Sequence, residues 1–341
     1  MKLCERPPMS QTNGIQRRTL LAAAASGITL PLAHQVAWAQ SAYPNKPVKV
    51  IVPFAPGGGP DVLMRKSAGK LGEILGQNVV VENIVGAGGI LAAQTAARAA
   101  PDGYTVILGS SAHVVQKAMQ PSVKFDPVKD FVHVMRTTVG PQLVVVAANA
   151  PWKTMQELVA DLKKERGKMN YETGGVSSSA HLVGAAVLLA TDTQAVHVPY
   201  KGSVEIIPSV LAGATQVGFP IATTGIGPVQ QGSVRALATS GSSRLPQLPQ
   251  VPTLKEALGK DELALESWGG VWVPAGTPAP VVDVLFKAFT RLFQDPQIRT
   301  DHESAGAYVA LSASPAEYAR FMETETAKFE RLVKAIGLNT N

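Results

Sequence analysis

Apolar and polar positions alternate along this chain in two rhythms, and the switches between them mark its elements. Val48 to Phe54, "VKVIVPF", is a compact apolar run of strand length. Asp61 to Leu75 then puts Val62, Leu63, Leu71, Ile74 and Leu75 on related helical faces, with Gly76 as a C-terminal stop. "NVVVEN" (78–83) predicts a second strand. Ile90 to Ala100 predicts an alanine-rich helix that stops at Pro101-Asp102-Gly103. "YTVILGSS" (104–111) predicts a third strand. A β-α-β-α-β order of this kind predicts a parallel sheet with right-handed crossovers.

A second alternating set follows. "PQLVVVAANAP" (141–151) reads as a strand. Thr154 to Glu165 reads as a helix, with Thr154 as N-cap and Glu157 completing a capping box. Residues 169–190 read as strand, Gly/Ser loop and helix, and "AVHVPYKG" (195–202) as a strand running into a loop. Ile206 to Ala212 is a short helix, and "TQVGFP" (215–220) and "VRALATSG" (234–241) are strands. After a proline-punctuated connection, "ESWGGVWVPAGTP" (266–278) is extended, and helices follow at Ala279 to Phe293 and Pro315 to Ala335. The last section has helices but one good strand, so it is expected to return and complete the first unit. That organisation is an α/β chain of two lobes: residues 43–141 with 268–341, and residues 142–267. Two crossings, near Gly140–Leu143 and Ser267–Val273, make a hinge with a cleft between the lobes.

Residues 1–39 stand apart. A polar stretch ends in Arg17-Arg18, a small-apolar run spans Leu20 to Leu32, and Ala37-Trp38-Ala39 forms an A-x-A site. This predicts a removable export signal, with the paired arginines pointing to the twin-arginine route and hence to the periplasm. Of the 341 residues, 302 remain after cleavage at Ala39, a length that suggests about two domains. The signal takes four of 31 Lys/Arg and one of 25 Asp/Glu with it, leaving 27 basic and 24 acidic residues. With no polybasic run and few aromatics, nucleic-acid binding has no support. The only cysteine, Cys4, lies in the signal, so disulfides, thiol nucleophiles and thiolate metal sites are excluded from the exported chain.

The five remaining histidines form no H-E-x-x-H motif, so no metal is expected, and no cofactor. His197, inside "AVHVP", reads as a core histidine. There is no G-x-S-x-G elbow and no phosphate loop ending in lysine. Gly86-Ala87-Gly88-Gly89 begins like a dinucleotide motif, but Leu91 stands at its sixth position.

What remains is a set of small-residue loops, each where a strand ends and a helix begins. They are Pro56-Gly57-Gly58-Gly59-Pro60-Asp61, Gly86-Ala87-Gly88-Gly89, Gly109 to His113, Gly174 to Ser179, and Tyr200 to Ser203. In a parallel sheet these loops share one edge. Helix N-termini carry unpartnered N–H groups and partial positive charge, and glycine lets an anion approach them. The expected site is therefore a carboxylate site made of backbone. Phe54 and Tyr200 are expected as apolar walls. Gly57, Gly58, Gly86, Ala87, Gly88, Gly89 and Gly175 would offer backbone. Ser110, Ser111, Ser177 and Ser178 would offer hydroxyls. Asp61 reads as a first-turn acid only.

Taken together, "YPNKPVKVIVPFAPGGGPDV", "LGQNVVVENIVGAGGILAAQTAARAAPDGYTVILGSS", "HVPYKG", "LPQVPTLKEAL" and "WGGVWVPAGTP" resemble the Bug family, the extracytoplasmic solute receptors of tripartite tricarboxylate transporters. The likeness runs from Tyr43 to the C-terminal helices. It implies a type II periplasmic-binding-protein fold, a carboxylate ligand in the cleft and delivery to membrane permease subunits by a monomeric receptor. It also implies that Phe54 to Gly59 and Gly86 to Gly89 hold one ligand carboxylate, with Gly174 to His181 as the second-lobe loop. One departure stands out. Family members often carry Phe-Asp-Asn where this chain has Phe219-Pro220-Ile221. Without that aspartate to face an amine, the expected ligand is an aromatic acid or a dicarboxylate in preference to an amino acid. Two other readings stay open: an exported hydrolase pairing Ser110 or Ser111 with His113 or His181, and a ligand sensor that signals through a partner.

Overall fold

The computed structural model describes residues 43–200 and 202–338. The export segment expected over residues 1–39, and Lys201, lie outside them. In chain order the elements are β1 (Val48–Val52), α1 (Gly59–Leu75), β2 (Val79–Asn83), α2 (Ile90–Ala97), β3 (Thr105–Ser110), α3 (Ser111–Met119), β4 (Phe131–Pro141), β5 (Leu143–Ala147), α4 (Met155–Lys164), β6 (Asn170–Thr173) and α5 (Ser179–Ala190). There follow β7 (Val196–Pro199), α6 (Ile206–Leu211), β8 (Val217–Gly218), α7 (Ala222–Gln230), β9 (Val234–Thr239), α8 (Leu254–Leu258), β10 (Glu266–Pro274), α9 (Ala279–Gln294), α10 (Pro296–Ser304), β11 (Tyr308–Val309) and α11 (Pro315–Ile336).

The strands form two sheets, ordered β11-β4-β10-β3-β1-β2 and β7-β6-β8-β5-β9. The expected parallel core is present, since β1 pairs in parallel with β2 and β3, and β6 with β7 and β8. Each sheet is nevertheless mixed. β10 runs antiparallel to both β3 and β4, and β5 antiparallel to both β8 and β9. These are the strands that follow a crossing, and a chain returning to a sheet from another lobe is free of the βαβ constraint on direction.

Period-two alternation splits each sheet between two apolar layers. Val48, Val50 and Val52 pack with Leu71 of α1 and Leu285 of α9, whereas Ile51 faces Ala92 of α2, Val114 of α3 and Phe329 of α11. In the second sheet, Val144 and Val146 pack with α4 and α5, while Leu143 and Val145 face α6 and α7. Glycine sets the closest approach at the centre of the first lobe. A Cβ at Gly109 would overlap the Trp272 ring, and one at Gly270 the Tyr318 hydroxyl. That hydroxyl accepts the Trp272 Nε1–H at 2.8 Å.

The lobes are joined at Gln142, between β4 and β5, and by the return that leads into β10. Ser240 ties the two together. Its Oγ accepts the Gln142 N–H at 3.0 Å and donates to the Leu265 carbonyl at 2.5 Å. Its own N–H donates to the Gln142 carbonyl, and its carbonyl accepts the Leu265 N–H.

Candidate functional site

The loop after β1 is organised by Asp61. Its buried carboxylate accepts the Gly57 N–H at 2.9 Å, the Arg65 Nε–H at 2.9 Å and the Asn83 Nδ2–H at 2.9 Å. Burial alone would raise its pKa, but the Gly57, Asn83 and Arg65 donors outweigh that and hold it below the usual carboxylate range. The Gly58 N–H donates to the Ala55 carbonyl at 3.1 Å. Both amides expected to face a ligand are thus used inside the loop. Asp61 does more than begin a helix; it folds the loop ahead of it.

The next loop, Gly86 to Gly89, has positive φ at every residue: 152°, 48°, 68° and 106°. Only glycine adopts such a run without strain, apart from Ala87 near the left-handed helical minimum. The Gly88 carbonyl accepts from Gln116 Nε2, and the Gly89 N–H donates to the Gly86 carbonyl at 2.9 Å.

The tetrapeptide Ser-Ser-Ala-His occurs twice, at 110–113 and 178–181, and starts α3 in one lobe and α5 in the other. Ser110 is the N-cap of α3, and its N–H donates to His113 Nδ1 at 3.1 Å. Ser178 is the N-cap of α5, and its Oγ accepts the His181 N–H at 3.1 Å. The two helix starts meet: Ser111 Oγ lies 3.0 Å from Ser179 Oγ. First-turn amides have no intrahelical acceptor. The N–H groups of Ser111, Ala112, Ser179 and Ala180 are such amides, and all four residues line the same cavity. The positive ends of two helices converge on it, one from each lobe. Ser179, Ala112 and Ala180 fall within the expected loops but are not singled out there as binding residues; the duplicated tetrapeptide was the signal for them.

That cavity measures about 220 Å³ and lies between the lobes. Of the expected residues it is lined by Phe54, Gly58, Gly86, Gly88, Gly89, Ser110, Ser111, Ser178 and Ile221. Gly57, Ala87, Gly175, Ser177, Tyr200 and Pro220 do not line it. Ser177 is buried at φ 63°, and its Oγ accepts from Gln120 Nε2 across the lobes at 3.1 Å. The Pro220 carbonyl accepts the Leu143 N–H. Tyr200 turns away, with its hydroxyl 3.1 Å from Ser209 Oγ. From there a hydroxyl chain leads through Thr215 to the buried Glu172. Glu172 Oε1 has no partner, and burial pushes its pKa up to about 7. No Asp, Glu, Lys or Arg lines the cavity among the described residues. Nor do any three His, Cys, Asp or Glu side chains among them cluster as a metal site would require.

Both histidines of the hydrolase reading are accounted for by structure. Ser110 Oγ does lie 3.2 Å from His113 Nδ1, but that nitrogen already accepts the Ser110 N–H. A lone pair so used does not also take a hydroxyl proton. Burial drives the His113 pKa down to about 4, and its Nε2 has no partner where an orienting acid would stand. His181 Nδ1 accepts the Ser177 N–H at 3.2 Å, and its ring stacks on His197 at 3.9 Å. His197 is half-buried, with Nε2 2.7 Å from Thr173 Oγ1.

Two α/β lobes, a double crossing and a cavity walled by loops of both lobes define the periplasmic-binding-protein class of solute receptor. Three solved proteins share this architecture along nearly the whole described chain. The periplasmic binding protein BugD is 29% identical with a TM-score of 0.83, over 88% of this chain and 100% of its own. MatC (Rpa3494) from Rhodopseudomonas palustris, solved with bound malate, is 29% identical with a TM-score of 0.80, over 85% and 100%. Rpa4515 of R. palustris, solved with adipate, is 28% identical with a TM-score of 0.82, over 86% and 98%. The model of the tripartite tricarboxylate transporter family receptor matches residues 63–338, and the chain belongs to that family.

Proposed function

We propose that this protein captures a small carboxylate in the periplasm and presents it to the permease subunits of a tripartite transporter. The observation that carries the reading is the meeting of two helix N-termini, one per lobe, on a cavity lined by no charged side chain among the described residues. An anion there is held by amides and hydroxyls, and it draws both lobes together because each supplies donors. Malate in MatC and adipate in Rpa4515 support a carboxylate as the class of ligand.

The residues proposed to bind are those that line the cavity around the two caps, with Ser110 and Ser178 donating their hydroxyl protons. No acid among the described residues lines the cavity to pair with an ammonium group, which favours an aromatic acid or a dicarboxylate over an amino acid. Closure would move residues 43–141 with 268–341 against 142–267. The closed monomer would be the form the permease recognises, through differential affinity for the two states. Export would use the segment at 1–39 and the twin-arginine route.

A thermal-shift screen tests the reading. Mono-, di- and tricarboxylates, aromatic acids, aspartate and glutamate would be compared. The melting temperature is expected to rise with at least one carboxylate and not with the amino acids. A protein that ignores every carboxylate, or that turns over an ester, would end the proposal.

A further inference from the structure

The cavity does not stop at the two helix starts. It continues into the core of the first lobe, between α1 and α9. Leu63 and Met64 of α1, Val271 of β10, and Phe289, Leu292 and Phe293 of α9 line this arm, and all are buried. Most belong to the packed cluster on that face of the sheet. A void with such walls stays dry and favours an apolar occupant.

Two polar side chains of the first lobe also line the arm, Ser67 and His302, and neither keeps a proton to offer; the nearest free hydroxyl, Thr223 of α7, lies beside Gly59 at the start of α1, outside the arm's apolar walls. The Ser67 hydroxyl donates to the Leu63 carbonyl at 2.8 Å. His302 Nδ1 lies 2.9 Å from the Ile298 carbonyl, so that nitrogen carries the ring proton and donates it there. Burial lowers the His302 pKa, which leaves the ring neutral and Nε2 an acceptor. A second carboxylate pushed past Thr223 into the arm would lose its hydration and gain no donor from Ser67 or His302. The two ends of the cavity therefore have opposite character: donors and helix dipoles at the seam, hydrocarbon in the arm.

We infer that the ligand is a monocarboxylate with an apolar tail, straight-chain or aryl, whose tail enters the first lobe between α1 and α9. Met64, Leu292 and Phe293 set its length. The inference rests on the carboxylate-receptor reading but replaces its dicarboxylate option, since it excludes short dicarboxylates such as the malate of MatC and the adipate of Rpa4515. A cavity volume of about 220 Å³ leaves room for a carboxylate at the seam and a short tail in the arm.

Calorimetry on the full chain tests this with the acids acetate to octanoate, phenylacetate, malate and adipate. Affinity is expected to rise about four-fold per methylene until the arm is full, and then to fall. Hexanoate should bind at least ten-fold tighter than adipate, its equal in length. Met64→Phe should move the optimum to a shorter tail and Leu292→Ala to a longer one; the wild-type series decides alone if a variant does not fold. A flat series, or adipate tighter than hexanoate, overturns the inference and leaves the carboxylate receptor standing. Failure of every carboxylate to bind overturns both.

Discussion

In the first lobe Ser110–His113 follows β3 without a break; in the second, the same four residues at 178–181 follow the loop Gly174–Ser177. The histidine does the same work in each copy, accepting an amide just ahead of the helix. It takes the N-cap's own amide in α3 and that of the preceding residue, Ser177, in α5. The surroundings differ. His113 is fully buried with Trp272 at 5.4 Å, while His181 lies against a second imidazole, His197, which in turn stacks on Tyr171 at 5.0 Å. Local sequence fixes the cap; tertiary packing fixes what removing it costs and how it titrates.

The comparison can be broken most severely at His113. His113→Ala should cost about 3 kcal/mol, because it opens a core cavity and strips the Ser110 amide of its acceptor. His181→Ala should cost about 2 kcal/mol, since its ring is shared with a half-buried stack. Urea midpoints at constant slope would check the order, and equal losses would erase the difference between the copies.

Acid is the next probe. Burial lowers the pKa of His113, His181 and His197 to about 4, with His197 adding to the lowering at His181. A lowered folded-state pKa gives stability that is present above the unfolded value, near 6.5, and lost as pH falls toward 4. Stability should therefore drop over that window, by on the order of 2 kcal/mol per histidine, and the melting temperature with it. Glu172 works in the opposite sense: raised to about 7, it favours the fold below about pH 4.5 and loses that advantage as pH rises to 7. Subtracting the His181→Gln profile from wild type removes the Glu172 contribution. A difference that does not change with pH would mean the stacked pair titrates normally.

Smaller effects are expected at the caps. Ser110→Ala and Ser178→Ala should each cost about 1 kcal/mol of stability. Each should also weaken carboxylate binding about ten-fold in calorimetry, because each removes one hydroxyl donor. Ser111→Ala is the mildest, at about 0.5 kcal/mol of stability. It removes the contacts of its hydroxyl with Ser179 of the other lobe and with the Trp268 N–H, and should lower both the affinity and the melting temperature of the free protein slightly.

The legible parts of this molecule are those whose signals are local. The strand "VKVIVPF", the glycine loops and the Thr154 cap are all punctuated by residues with a fixed conformational preference. β4 was not legible. "FVHVMRTTVGP" has neither cap nor turn signal, and it becomes a strand by pairing with β10 from Pro141–Glu266 to Phe131–Pro274, partners more than a hundred residues away. α7 was hidden for the opposite reason, since Gly225, Gly227 and Pro228 read as a loop; it is a helix because Gly225 lets Leu143 and Pro220 pack against it. In the site, the strand-end edge was readable and the direction of individual groups was not. Tyr200 points to Ser209, and Gly57 and Gly58 turn their amides inward, where the Asp61 carboxylate and the Ala55 carbonyl accept them.

Ser240 has a mechanical consequence. It bonds at once to Gln142 on the outward crossing and to Leu265 on the return, so neither connection can slide along the other without breaking at least two of its four hydrogen bonds. That double tie opposes sliding of one half past the other more than it opposes bending at the serine.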